Sequence, residues 1–245
     1  MDALREWLSA QAMQAPFWVV IAATIAWFAL IYTLIAGGAQ ALAVRQAVET
    51  KAPGGRVQRM RPGQKREELW LSVLAILIFA AQAAGLVWLL RHGWLAIDWQ
   101  RSLWHPLWEL PLLYLWNDLH FFVIHRALHW KPLYRHVHIW HHRSVITTPF
   151  SAYSFHPVES FLLGSVMPLA LIFHAFSPWA LLGLTVMSLL LNVAGHLPHE
   201  HIRNGFGLLR PHSAYHNRHH REFHTLYAFS LVWLDRWFGG TKSEK

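Results

Sequence analysis

Two long stretches without a charged residue constrain the fold of this chain more than any other feature. They run from Phe17 to Gly38 and from Leu69 to Leu90. Each exceeds the roughly 20 residues that an α-helix needs to cross the hydrocarbon core of a bilayer. Both are too long, and the first starts too far along the chain, for a simple cleaved signal peptide. The sequence therefore predicts two membrane-spanning helices.

The composition agrees with a lipid environment. Of the 245 residues, 54% are hydrophobic and only 14% are charged, against about 25% charged in soluble domains. The chain has no cysteine, which excludes disulfides, thiolate-ligated haem, iron–sulfur clusters and cysteine-based zinc sites. We attribute the net charge of +8 to cytoplasmic loops, and we expect no nucleic-acid partner.

The basic residues predict the orientation of the first two spans. The segment between them carries seven, namely Arg45, Lys51, Arg56, Arg59, Arg61, Lys65 and Arg66. Only Arg5 precedes the first span. Because positively charged loops stay in the cytoplasm, we expect this loop inside and the N-terminus outside. A third apolar run, Pro106 to Ile124, would then deliver the histidines that follow it to the cytoplasmic side.

A fourth apolar stretch predicts a hairpin. Phe161 to Gly195 carries no charge, and Ser177-Pro178 interrupts it. It is too long for one straight span and short for two, so we expect the chain to turn near Ser177-Pro178 and return His196 to the face it left. The predicted fold is all-α: an integral-membrane bundle of about three spanning helices plus a broken or re-entrant hairpin, with a histidine-rich cytoplasmic cap.

Two near-identical histidine words point to metal binding. His138-Ile139-Trp140-His141-His142 and His216-Asn217-Arg218-His219-His220 share one spacing, and His125 and His129 stand upstream, four residues apart. Spacings of three and four residues place side chains on one face of a helix. Imidazole is a common ligand of Zn, Fe, Cu and Ni, so ligand type alone does not select the metal. Eight such groups exceed the roughly four to six coordination positions of one metal ion, which predicts a dinuclear site.

Other functions remain alternatives at this point. A membrane metal transporter or a haem-binding or metal-binding electron carrier would place histidines in the middle of spans. Here the words lie in arginine-rich segments instead. A zinc-dependent hydrolase would normally carry a His-Glu-x-x-His word, and the sequence has none. Isolated histidines such as His174 are interpreted as structural residues.

From about Asn117 to Gly240, the chain resembles the fatty acid hydroxylase / sterol desaturase superfamily of integral-membrane di-iron enzymes. The resemblance rests on the two histidine words, on His125-Arg126-Ala127-Leu128-His129, on Phe155-His156-Pro157-Val158-Glu159 and on Leu234-Asp235-Arg236-Trp237-Phe238-Gly239. It implies N-terminal membrane helices over residues 1–105 and a catalytic region over 106–245. It also implies an O2-dependent hydroxylase or desaturase acting on a C–H bond of a fatty acyl, sterol or related lipid. A separate ferredoxin, cytochrome or reductase would supply electrons.

The resemblance also carries over a set of site residues. The implied ligands of two iron ions, which zinc can replace in a recombinant sample, are His125, His129, His138, His141, His142, His196, His216, His219 and His220. Asp118 and His156 would orient the ligands by accepting imidazole N–H protons, although His156 could equally cap a turn before Pro157. Fatty acid 2-hydroxylases carry a further histidine where this chain has Glu200, which leaves His199 or Glu200 as an open candidate for one more ligand.

Overall fold

The fold is predominantly helical in the part of the chain that the structure describes. The computed structural model describes residues 2–44, 50–51, 57–58, 60–197, 210–223 and 225–238. Within these ranges, the extended structure is one short antiparallel pairing of Thr50–Lys51 with Val57–Gln58. His199 and Glu200 lie outside the described residues.

Twelve α-helices account for most of the described residues. They are α1 (Asp2–Gln14), α2 (Phe17–Tyr32), α3 (Gly38–Val44), α4 (Gln64–Arg91), α5 (Pro106–Leu128), α6 (Lys131–Leu133), α7 (Ile139–His142), α8 (Pro157–Gly164), α9 (Val166–Phe173), α10 (Pro178–His196), α11 (Arg210–Glu222) and α12 (Trp233–Phe238). Two π-helical turns, Thr33–Gly37 and Tyr134–His138, and a 3-10 turn, Pro149–Tyr153, complete the helical structure of these ranges.

Three helical stretches of the described chain are long and apolar enough to cross a membrane. They are Phe17–Leu42, which joins α2 to α3 through a π-turn, α4, and α10. The first two contain the stretches predicted to span. The third is α10 rather than α5, because Glu109, Asp118 and His120 lower the hydropathy of α5. These three side chains are buried inside the protein.

Polar contacts along α5 define the path of the predicted hairpin. Near the start of α5, Glu109 accepts hydrogen bonds of 3.2 Å from the backbone N–H of Ser177. Two turns later, Trp116 Nε1 donates to the carbonyl oxygen of Val166 at 2.8 Å. The α8–α9 segment therefore runs antiparallel to α5, and α10 returns alongside it. The chain reverses direction at residues 174–177, and a re-entrant course of this segment in the membrane stays a prediction.

Two apolar clusters hold the N-terminal helices and the hairpin together. One contains buried Ile31, Ala75, Tyr153 and Leu189, and so joins α2, α4, the 3-10 turn and α10. The other lies between α5, α9 and α10. Residues from both sides of position 105 share the first cluster, so the two regions pack as one body, and their division at residue 105 stays a prediction.

Candidate metal centre

Nine histidines from distant parts of the chain converge in two buried groups. The first comprises His125, His129, His138, His142 and His219, and the second comprises His141, His196, His216 and His220. Within each group, every ring offers a nitrogen within 4.8 Å of the others. Eight of the nine side chains are at most 3% exposed, and His129 is half-buried. The structure thus brings together all nine residues that the resemblance implied as ligands.

The ends of four helices deliver these rings. His125 lies in the last turn of α5, His196 ends α10, and the two histidine words occupy α7 with its preceding π-turn and α11. The histidines of α7 and two of those of α11 lie in last turns. A helix C-terminus carries a partial negative charge that favours cations. The arrangement is therefore electrostatically suited to positive ions.

Backbone carbonyl groups fix the tautomers of four rings. In each case Nδ1 lies at hydrogen-bond distance from a carbonyl oxygen. The pairs are His125–Tyr227 at 2.8 Å, His141–Ser154 at 3.3 Å, His196–Asn192 at 2.7 Å and His219–Thr225 at 2.6 Å. A carbonyl oxygen only accepts, so Nδ1 carries the proton and Nε2 of the neutral ring presents a lone pair.

These lone pairs face one another inside each group. Nε2 of His141 lies 3.2 Å from Nε2 of His196, which lies 3.1 Å from Nε2 of His216. In the first group, Nε2 of His219 lies 3.1 Å from Nε2 of His142. Because His141 and His196 both carry their protons on Nδ1, their two facing nitrogens repel each other unless a cation lies between them. The donor set therefore fits a metal.

Burial also keeps the rings in the form that binds metal. It lowers the pKa of His219 to about 3. Burial and the neighbouring rings lower the pKa values of His138, His141, His142, His216 and His220 well below the ordinary value. These imidazoles are therefore neutral at pH 7, as metal ligation requires.

A carboxylate that the sequence analysis passed over contacts the first group. Glu159 is buried, and its Oε1 lies 2.9 Å from Nδ1 of His138, the position of a hydrogen bond that orients a metal-binding imidazole. Its only sequence signal is its place in Phe155-His156-Pro157-Val158-Glu159. In that segment His156 instead caps α8, since its Nδ1 accepts from the backbone N–H of Val158 at 3.1 Å.

Asp118 also has partners other than an imidazole. It accepts hydrogen bonds from the backbone N–H groups of Ser230 and Leu231 at 2.7 and 3.2 Å, and another from the Ser230 hydroxyl. It thereby anchors the segment after α11 that supplies the carbonyl groups of Thr225 and Tyr227. Asp118 supports the histidines through the backbone rather than by direct contact.

Two more buried carboxylates, also missed from the sequence, position loops around the site. Asp235 accepts from the backbone N–H groups of Tyr227 and Ala228 at 3.0 and 2.7 Å. Glu68 on α4 accepts four hydrogen bonds, three of them from the loop that follows the first histidine word. Its donors are Gln64, Ser144, Thr148 and Ser151.

Known proteins resemble the part of the chain that contains these histidines. The model of the fatty acid hydroxylase family matches residues 110–240. The chain is 29% identical over 128 residues to the Delta(7)-sterol 5(6)-desaturase ERG3 of Candida albicans, covering 49% of this chain and 32% of that protein. It is 28% identical over 168 residues to the enzyme of the same name from Saccharomyces cerevisiae, covering 64% and 44%.

The matched segments thus span less than half the length of these two relatives. No solved structure matches the chain. The family match covers more than half of the 245 residues and includes all nine clustered histidines. This chain belongs to the fatty acid hydroxylase family.

Proposed function

We propose that this protein is an O2-dependent membrane lipid oxidoreductase, a hydroxylase or desaturase that acts on a C–H bond of a fatty acyl, sterol or related lipid. The observation that carries the proposal is the pair of buried histidine groups whose Nε2 lone pairs face inward. Family membership and the sterol desaturase names of the relatives support the lipid class.

The nine histidines would hold two iron ions, one in each group. The groups adjoin each other, since the ring centroids of His142 and His220 are 4.7 Å apart. When bound, the ions would supply the redox chemistry that activates O2 and breaks a C–H bond. An all-imidazole set also accepts zinc. Elemental analysis of protein from iron-supplied cells is expected to give two Fe per chain, or zinc in their place.

The protein's own groups would orient the ligands and exclude water. Carbonyl oxygens and Glu159 hold the imidazole Nδ1 atoms, while two aromatic rings cover the apolar side of the site. Phe121 lies 4.9 Å from the ring of His125, and Phe155 lies 5.0 Å from the ring of His141. A water-poor site limits side reactions of a strongly oxidising centre. Electrons would come from a separate ferredoxin, cytochrome or reductase.

The site would face the cytoplasm, with the N-terminus outside. The basic segment between the first two spans supports this orientation. Because the chain has no cysteine, single cysteines can report it. Arg135 is exposed beside the histidine groups. Trp94 is exposed just beyond the C-terminal end of α4, the end far from these groups. An impermeant maleimide should label W94C in intact cells and R135C only after permeabilisation; the reverse pattern would reject the orientation.

Expression in a lipid-producing host tests the activity. Mass spectrometry should find a lipid with one added oxygen for hydroxylation, or with two hydrogens fewer for desaturation. His141→Ala and His219→Ala, one in each group, should abolish the product. His136→Ala is the matched control, because this histidine lies in the same π-turn as His138 but is exposed. An unchanged product in H141A or H219A would refute the assignment.

A further inference from the structure

An apolar cavity extends from the histidine groups toward the opposite end of the helical bundle, where α1 lies. It encloses about 470 Å³. At the end near the histidines it is lined by Phe121 and Phe155, whose rings lie against imidazoles of the site. At the opposite end it is lined by α1, which Arg91 at the end of α4 holds by hydrogen bonds to Ala12 and Ala15. The cavity therefore spans much of the depth of the bundle.

Polar side chains are a minority of the lining of this cavity. None of the described residues that line it is Lys, Arg, Asp or Glu. Its amide and imidazole groups near the site are Asn117, His120 and Asn192. Asn117 and His120 lie eight and five residues before His125, and Asn192 lies four residues before His196. Each of the three is therefore within about 12 Å of that histidine along its helix. The rest of the lining on α1, α2 and α4 is mainly apolar, and its polar members are Gln11, Thr24 and Gln82.

Asn117 carries an unsatisfied donor. The residue is only 4% exposed, and its Nδ2 has no hydrogen-bond partner in the described part of the chain. His120, by contrast, pairs through Nε2 with the hydroxyl of Ser165 at 3.1 Å. A buried amide without a partner is unfavourable. Rotation of the amide exchanges the positions of its oxygen and nitrogen. The side chain can therefore donate a hydrogen bond to a carbonyl, and it can either donate to a hydroxyl or accept from one.

We propose that the cavity binds a lipid by an uncharged oxygen, a hydroxyl or a carbonyl, hydrogen-bonded to the Asn117 side chain, with the hydrocarbon tail directed toward α1. The absence of a cation from the described lining disfavours an ionised carboxylate or a phosphate, because neither would find a counter-charge. This inference rests on the proposed function and refines its substrate class.

Binding measurements test this inference without turnover. The probe is tritiated 1-hexadecanol bound to the purified, metal-containing protein in detergent micelles, with hexadecane and hexadecanoate as competitors at pH 8. Asn117→Leu removes the amide at similar size. The matched control is Thr24→Val, which removes a hydroxyl from the cavity wall on α2. We expect the wild type to prefer hexadecanol about tenfold over either competitor, as one buried hydrogen bond allows.

The preference for hexadecanol over hexadecane should fall to about twofold or less in N117L and stay within twofold of the wild type in T24V. An unchanged preference in folded N117L would overturn the inference, and so would its loss in T24V. If N117L does not fold, the wild type decides, because hexadecanoate competing as strongly as hexadecanol would also overturn it. A preserved preference without any lipid oxidation would reject only the proposed function.

Discussion

Replacing Glu159 with glutamine should weaken metal binding and leave the metal-free fold intact. Glu159 is 1% exposed; its Oε1 lies 2.9 Å from Nδ1 of His138, while its Oε2 has no hydrogen-bond partner in the described structure. Glutamine keeps an acceptor oxygen at the same place but removes the negative charge. Loss of such an orienting partner typically lowers metal affinity by about 10- to 100-fold, or about 1.4–2.7 kcal/mol.

In the metal-free protein, the same substitution should not lower the melting temperature. Without metal, burial raises the pKa of Glu159 well above its ordinary value, because the charged form costs free energy in a buried site that has no positive charge to compensate it. Removing the charge should therefore leave the melting temperature of the chelator-treated protein unchanged or raise it. In the metal-bound protein the melting temperature should fall, because the stabilisation by a bound ligand grows with the logarithm of its affinity.

Competition with a chelator of known affinity measures the effect. Two binding steps are expected, and E159Q should weaken only the one that belongs to the first group, which contains His138. Glu67→Gln is the matched control, since Glu67 lies on the protein surface and pairs with Arg61 and Arg143. Equal weakening of both steps, or an unchanged affinity in E159Q, would refute the reasoning.

Two further predictions concern the loops and the protonation of the site. Glu68→Ala removes the acceptor of hydrogen bonds from Ser144, Thr148 and Ser151 and should cost about 2–4 kcal/mol; a thermal shift within error of wild type would contradict this. At pH 6, a histidine of ordinary pKa would release about three-quarters of a proton on binding metal. Because burial lowers the pKa values of His141, His216 and His220 well below the ordinary value, calorimetry in two buffers should detect release of far less than one proton when an ion binds to the second group.

The histidine groups were predictable because their signal is local. The spacing of each word sets imidazoles on one helical face, and the break at Ser177-Pro178 returns His196 to the face where α8 starts. The hydrogen-bond partners of the rings were harder to predict from the sequence. Four of them are backbone carbonyl groups, which every residue has, so the sequence contains no sign of which ones serve.

The roles of the acidic residues were also hard to predict from the sequence. Asp118 lies seven residues before His125 on the same helix, yet the fold turns it toward Ser230. Glu159 follows His156 by three residues, and tertiary packing rather than local pattern decides that Glu159 reaches His138 while His156 caps α8. Local sequence pattern therefore does not distinguish a carboxylate that contacts an imidazole from one that anchors the backbone.

The electrostatics of the site explain why a single carboxylate beside the ligands should matter. Nine neutral imidazoles would leave the charge of two divalent ions uncompensated in a buried site. Helix C-termini contribute partial negative charges of about half an elementary charge each. Glu159 is the one buried carboxylate in the described structure that directly contacts a clustered histidine through a hydrogen bond. Because Coulomb interactions are stronger where water is excluded, its charge should stabilise bound ions far more than a carboxylate such as Glu67 on the surface.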